Sequence, residues 1–207
     1  MPRGDLFSTD DPILEAWTSG LNLAVQQRCP AFFDGSASAI LVRRPEEEAG
    51  LGICLSDGIR LRHETILALY FGAVRSWVPP GDYVLALPPF YRNSTRFDLS
   101  LDAGPYCRRA NPEPFNMALL NHSCRDATVH IRQLEGGPLP YAVAVAPAGT
   151  AGGTRLRWDY DGGLSSGGFT TGQDQLVTQF TGPTTWSPCA CRNPEPCPRR
   201  RLFPSTP

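Results

Sequence analysis

Asn121-His122-Ser123-Cys124 places an amide, an imidazole, a hydroxyl and a thiol on consecutive residues, directly after the apolar lead Met117-Ala118-Leu119-Leu120. An Asn-His pair alone is more often a loop with satisfied polar groups; the apolar run before it and Cys124 after it lift the functional reading. Downstream, Tyr141-Ala142-Val143-Ala144-Val145-Ala146 reads as a strand, Pro147 to Gly153 as a turn, and Leu156 to Tyr160 as a second strand ending in Trp158-Asp159-Tyr160. Cys189-Ala190-Cys191 and Cys197 form a third group near the C-terminus.

The chain of 207 residues is long enough for one domain with a full core and a small appendage. Its 20 glycines and 21 prolines favour short strands and turns over long helices. A net charge of −1 supplies no overall basic field, which argues against direct sequence-specific nucleic-acid binding. There is no lysine; all 19 basic residues are arginine. Compositional bias explains that, and so does an enzyme that acts on lysine and avoids modifying itself; the sequence leaves both open. The N-terminus lacks a signal-peptide core, and no apolar run reaches the ~20 residues that span a bilayer, so a soluble, intracellular protein is expected. Seven cysteines at uneven spacing favour metal binding by the clustered ones over a disulfide framework.

Ile13, Leu14, Trp17, Leu21 and Val25 recur at helical spacing, predicting a helix from Asp11 to about Arg28 with Asp11 as cap and Pro12 in the first position. Residues 1–10 read as a loose lead. Ala39 to Val42 reads as a short strand, Glu46-Glu47-Glu48 as a solvated turn, and Gly50-Leu51-Gly52-Ile53-Cys54-Leu55 as a strand. Further strands are expected over Ile66 to Tyr70, Tyr83 to Leu87 and Phe97 to Leu101. Val129 to Leu134 and Tyr141 to Ala146 read as a hairpin. Residues 164–188 read as a Gly/Ser/Thr-rich linker and 189–207 as a cysteine-bearing tail.

In this order the pieces resemble the SET-domain family of protein lysine methyltransferases. That family runs Gly-x-Gly, Tyr-x-Gly, an Asp-Ala turn, Asn-His-Ser-Cys, a Gly-Glu-Glu-Leu turn into Phe-Asp-Tyr, and in some members a post-SET tail of form Cys-x-Cys-x4-Cys. The counterparts here are Gly50-Leu51-Gly52, Tyr70-Phe71-Gly72, Asp102-Ala103, Asn121-His122-Ser123-Cys124, Gly153-Thr154-Arg155-Leu156 and Trp158-Asp159-Tyr160, with Cys189, Cys191 and Cys197 in the tail. The chain departs from the pattern where Ala118 and Leu119 replace an Arg-Phe pair, Asp126 and Ala127 a Pro-Asn pair, and Thr154 and Arg155 two glutamates.

The resemblance implies a mainly β fold of several small sheets with few short helices and a knot-like C-terminal crossing. It divides the chain into an N-terminal flank (1–44), a SET domain (45–163), the linker and the tail. It implies transfer of a methyl group from S-adenosyl-L-methionine to lysine side chains of proteins, histone tails foremost, in the nucleus or elsewhere inside the cell. Tyr160 and Tyr70 take the catalytic positions. Gly50, Leu51, Gly52, Asn121, His122 and Phe203 take the cofactor-binding positions, and Trp158 and Tyr70 line the lysine channel. Cys124, Cys189, Cys191 and Cys197 supply the four thiolates of a zinc ion, Zn2+. Each residue also has a structural reading: Tyr70 and Trp158 as core aromatics, Tyr160 as a strand-end residue, the tail cysteines as incidental. The departures motivate an alternative, a catalytically weakened SET-like module that binds cofactor or peptide. A third reading is a structural protein in which zinc stabilises the tail. Arg199-Arg200-Arg201 reads as a solvated tail or a minimal nuclear-import patch.

Overall fold

The computed structural model describes residues 5–46, 50–76, 83–87, 90–92, 95–123, 126–136 and 139–159. These residues form a mainly β protein. Helix α1 spans Pro12–Arg28, followed by the single-turn helices α2 (Ala31–Asp34) and α3 (Ser36–Ala39). Strands β1 (Leu41–Glu46), β2 (Gly50–Leu55), β3 (Thr65–Leu69), β4 (Ala73–Ser76), β5 (Val84–Ala86), β6 (Phe90–Arg92), β7 (Thr95–Phe97) and β8 (Leu99–Asp102) come next. The short helix α4 (Gly104–Cys107) and a 3-10 turn at Met117–Leu119 lead into β9 (Asn121–His122), β10 (His130–Gly136), β11 (Leu139–Ala146) and β12 (Arg157–Trp158).

The predicted first helix is present with its predicted cap: the Asp11 carboxylate accepts from the Ile13 amide at 2.8 Å, and Pro12 opens the first turn. Leu14, Trp17, Leu21 and Val25 are buried, and α1 packs on β10 and β11. Ile13 leaves the stripe and is 71% exposed. Full burial of each large side chain on this face contributes about 1.5–3 kcal/mol.

The segment expected to be a loose lead is bound from Leu6 onward. Asn22, buried on α1, accepts from the Leu6 and Phe7 amides at 3.1 and 3.0 Å and donates to the Phe7 carbonyl at 2.8 Å. The Val74 amide donates to the Ser8 carbonyl at 2.7 Å. A buried asparagine can satisfy three backbone groups at once, and helical periodicity does not reveal its targets.

The described strands form five small sheets: β1-β2, β10-β11-β3, β4-β8-β5, β6-β7 and β12-β9. The predicted hairpin is β10 and β11, paired antiparallel from His130↔Val145 to Gly136↔Leu139. The strand expected over Ala39 to Val42 begins later, because Ser36–Ala39 is a helical turn and Leu41 opens β1. The strand expected over Phe97 to Leu101 is split at Asp98 into β7 and β8. The core runs from α1 through β10, β11 and β3 to Phe71, Phe115 and Trp158. Phe115 lies between Phe32 and Phe71, with ring centroids 5.0 and 5.5 Å away.

Candidate active site

The approach to β9 is fixed by Asn116. Its Oδ1 caps the 3-10 turn by accepting from the Ala118 amide at 3.0 Å, and its Nδ2 donates to the Phe71 carbonyl at 3.3 Å. The buried side chains of Phe115, Met117 and Leu120 then anchor the lead that delivers Asn121 and His122. The Tyr-x-Gly and Asp-Ala segments meet nearby. A Cβ at Gly72 would stand 2.3 Å from the Asp102 carbonyl oxygen and 2.8 Å from the Ala103 amide, so glycine alone lets the two backbones touch.

β12 runs parallel to β9, with Arg157 opposite Asn121 and Trp158 opposite His122. The Ser123 amide donates to the Trp158 carbonyl at 3.0 Å. On its other side the segment is bonded to Thr128 and Val129: both amides donate to the Arg157 carbonyl, at 2.9 and 3.2 Å, and the Thr128 hydroxyl accepts from the Arg157 amide at 2.9 Å. One earlier stretch, residues 121–129, thus bonds the closing segment on both sides, which sets Trp158 beside Asn121 and His122 as the expected crossing requires. Upstream, the Gly153 amide donates to Leu55 at 2.8 Å, Leu55 to Thr154 at 2.9 Å and Leu156 to Ile53 at 2.8 Å. These bonds set the closing strand along β2, so the Gly-x-Gly, Asn-His and Trp-Asp segments converge.

Glu46 stands at the centre of that convergence. Expected in a solvated turn, it is instead 4% exposed at the end of β1, opposite Gly50. Its carboxylate accepts from the Asn121 side-chain amide and the Arg157 guanidinium, and Arg155 approaches to 3.4 Å. Burial pushes its pKa up, but the Asn121 hydrogen bond, Arg157 and Arg155 outweigh that and hold it below the ordinary carboxylate range. A buried carboxylate needs this much compensation to stay charged. Glu47 and Glu48 lie outside the described residues.

Glu46, Arg155 and Arg157 are the residues that sequence reasoning missed. A signal existed: Arg155 and Arg157 flank Leu156 at strand spacing, so both point to one side of an otherwise apolar closing segment. Two arginines there require an acid, and the three consecutive glutamates of the facing hairpin offer one.

Among the predicted cofactor residues, Gly50, Leu51 and Gly52 lie on β2 beside Asn121. The Asn121 amide also donates to the Leu51 carbonyl at 3.3 Å. A Cβ at Gly52 would meet the Glu46 carboxylate at 2.5 Å and the Asn121 amide nitrogen at 3.2 Å. The close approach that Gly52 allows is therefore used by Glu46 and Asn121. Leu51 beside it is 53% exposed and offers an apolar surface at the rim. With both amide hydrogens of Asn121 directed inward, its carbonyl oxygen is the group left to meet a donor. That acceptor suits the ammonium of an amino-acid ligand, so the residues present fit the amino-acid end of S-adenosylmethionine.

His122 is buried, with Nδ1 3.8 Å from the Asp159 carboxylate, longer than a hydrogen bond. Tyr70 and Trp158 are also buried, and the Tyr70 amide donates to the Ala142 carbonyl at 2.9 Å. Tyr160, Phe203, Cys124, Cys189, Cys191 and Cys197 lie outside the described residues. Among the described residues no cluster of three His, Cys, Asp or Glu could hold a metal, and no helix is long and apolar enough to cross a membrane.

No protein-family model and no curated protein matches the chain. Solved structures do match in shape. One is KRYPTONITE in complex with mCHG DNA and SAH, at 19% identity and TM-score 0.44, covering 61% of this chain and 24% of that chain. Another is ATXR5 in complex with mono-methylated histone H3.1, at 14% identity and TM-score 0.44, covering 75% of this chain and 69% of that chain. This chain thus spans about a quarter of the KRYPTONITE chain.

Proposed function

We propose that this protein is a SET-type methyltransferase that uses S-adenosyl-L-methionine to methylate lysine side chains of proteins, with a histone tail as the substrate and the nucleus as the place of action. The observation that carries the reading is the parallel register of Trp158 on His122. It sets the residue two positions before Tyr160 beside the Asn-His pair, with Gly52 across from Asn121. The ordered sequence motifs support the same reading.

In this account the cofactor, when bound, supplies an electrophilic methyl group. Gly50, Leu51, Gly52, Asn121, His122 and Phe203 hold it. The lysine amine has an ordinary pKa near ~10.4 and attacks only when neutral. Tyr70 and Trp158 line a dry channel that disfavours the ammonium. Tyr160 takes the catalytic position and orients the amine, so catalysis is largely alignment and desolvation. Cys124, Cys189, Cys191 and Cys197 bind one zinc that orders the 189–207 tail after the 164–188 linker.

The test is incubation of the full chain with methyl-labelled cofactor and core histones. Label on histone lysine, lost in Tyr160→Phe, supports the assignment; no transfer to histones or to any lysine peptide rejects it. A second reading, a module that binds cofactor without turnover, is favoured by Ala118 and Leu119 at the Arg-Phe positions. Cofactor binding by calorimetry without any transfer selects it.

A further inference from the structure

We propose that Glu46 is a specificity-determining positioning residue: its carboxylate fixes which way the Asn121 side-chain amide faces, and thereby makes the site select a ligand that carries an ammonium. The inference rests on the cofactor reading above and adds a role for a residue outside its motifs.

An asparagine amide has a donor end and an acceptor end, and the two occupy nearly the same volume. Which end faces a ligand depends on the partner behind it. Behind Asn121 stand an ionised carboxylate, Glu46, and a backbone carbonyl, Leu51, and both accept only. The NH2 end must turn to them, and Oδ1 then faces away. Arg157 and Arg155 keep Glu46 charged, and the Glu46 contact is possible because Gly52 has no Cβ. Asn121 so held accepts a hydrogen bond from a ligand and cannot donate one. An α-ammonium is matched at that point, and a carboxylate or hydroxyl acceptor is not.

The experiment compares calorimetric binding of S-adenosylhomocysteine with that of its analogue lacking the α-amino group. The proteins are the full wild-type chain, Glu46→Ala, and the double variant Glu46→Met with Arg157→Met. The double variant removes the buried pair together and leaves only Arg155, which is partly exposed, without Glu46, so it serves where Glu46→Ala fails to fold. Wild type should prefer the amino-bearing ligand by about tenfold or more, the range of a hydrogen bond to a charged group. Both variants should lose most of that preference, because only the longer 3.3 Å contact to the Leu51 carbonyl then holds the Asn121 amide. A merely structural role would weaken both ligands alike and keep the ratio, and that result overturns the proposal. If wild type binds neither ligand, the methyltransferase reading fails. The orientation is then read without ligand, from nuclear Overhauser contacts of the labelled Asn121 NH2 protons. Contacts to the Leu51 and Glu46 neighbourhood uphold the fixed amide, and contacts directed away overturn it.

Discussion

Trp158 lies in parallel register with His122, and the carbonyl of Trp158 accepts from the amide that follows His122, Ser123, at 3.0 Å. This pairing sets the last described strand within the grip of the Asn-His segment. Trp158 is buried, and under the proposed function it is a wall of the lysine channel. An indole there leaves less room than a phenyl ring. The unmodified protein should stop at mono- or dimethyl-lysine, and Trp158→Phe should raise the methylation state without abolishing activity. Mass spectrometry of a peptide product decides; abundant trimethyl-lysine from the wild type rejects the narrowed channel.

The buried pair of Glu46 and Arg157 gives a stability prediction. Removing one partner strands a buried charge, so Glu46→Ala should cost about 3–5 kcal/mol, whereas the paired replacement Glu46→Met with Arg157→Met should be closer to neutral. The folded-state pKa of Glu46 lies below its unfolded value of ~4.3, so the unfolded chain takes up the proton first as pH falls. The contribution of the pair is complete at neutral pH and is lost as pH drops through the folded-state value. Thermal melts should show the wild type losing stability in acid more steeply than the paired variant. Parallel acid profiles for the two would contradict the assignment.

Gly72 tests the meeting of the Tyr-x-Gly and Asp-Ala segments. A methyl group there would enter backbone at 2.3 Å, and backbone cannot swing aside as a side chain can. Gly72→Ala should cost about 1–3 kcal/mol by overpacking, lowering Tm by about 2–4 °C for each kcal/mol. An unchanged Tm would mean that the two segments do not touch.

The cysteines should divide into two chemical classes. Cys29, Cys54 and Cys107 are buried. Burial pushes all three thiols up, and Cys107, further raised by Asp102, reaches about 12. At pH 8 on the order of one Cys107 in ten thousand is ionised, and the thiolate is the reactive form. Alkylation followed by peptide mapping should leave these three unlabelled in the native protein. Cys124, Cys189, Cys191 and Cys197 should be protected by about one zinc per chain and become labelled after chelation. Zinc-free protein of full activity would refute the proposed coupling of tail and site.

Much of the frame was legible because local patterns carry it. Asp11-Pro12 before a 3.6-residue stripe defined α1, and the β10–β11 hairpin followed from two apolar runs joined by glycines. The crossing was legible only through the order of motifs, since no local pattern announces that Trp158 will pair with His122. Glu46 was misread because three glutamates in a row look solvated, and the partners of Glu46, Arg155 and Arg157, lie more than a hundred residues away. A buried charge is defined by its distant complement, and a window of sequence does not contain it. Leu6 and Phe7 were missed for the same reason, since the group that binds them is the side chain of Asn22.

The central claim is methyl transfer to lysine, and its most direct measurement is a radiolabel assay with S-adenosylmethionine and core histones, read by amino-acid analysis of the labelled product. The account predicts label in methyl-lysine with the wild-type chain and its near disappearance with Tyr160→Phe. Label equal in both proteins, or none from the wild type on any histone or lysine-bearing peptide, would contradict it.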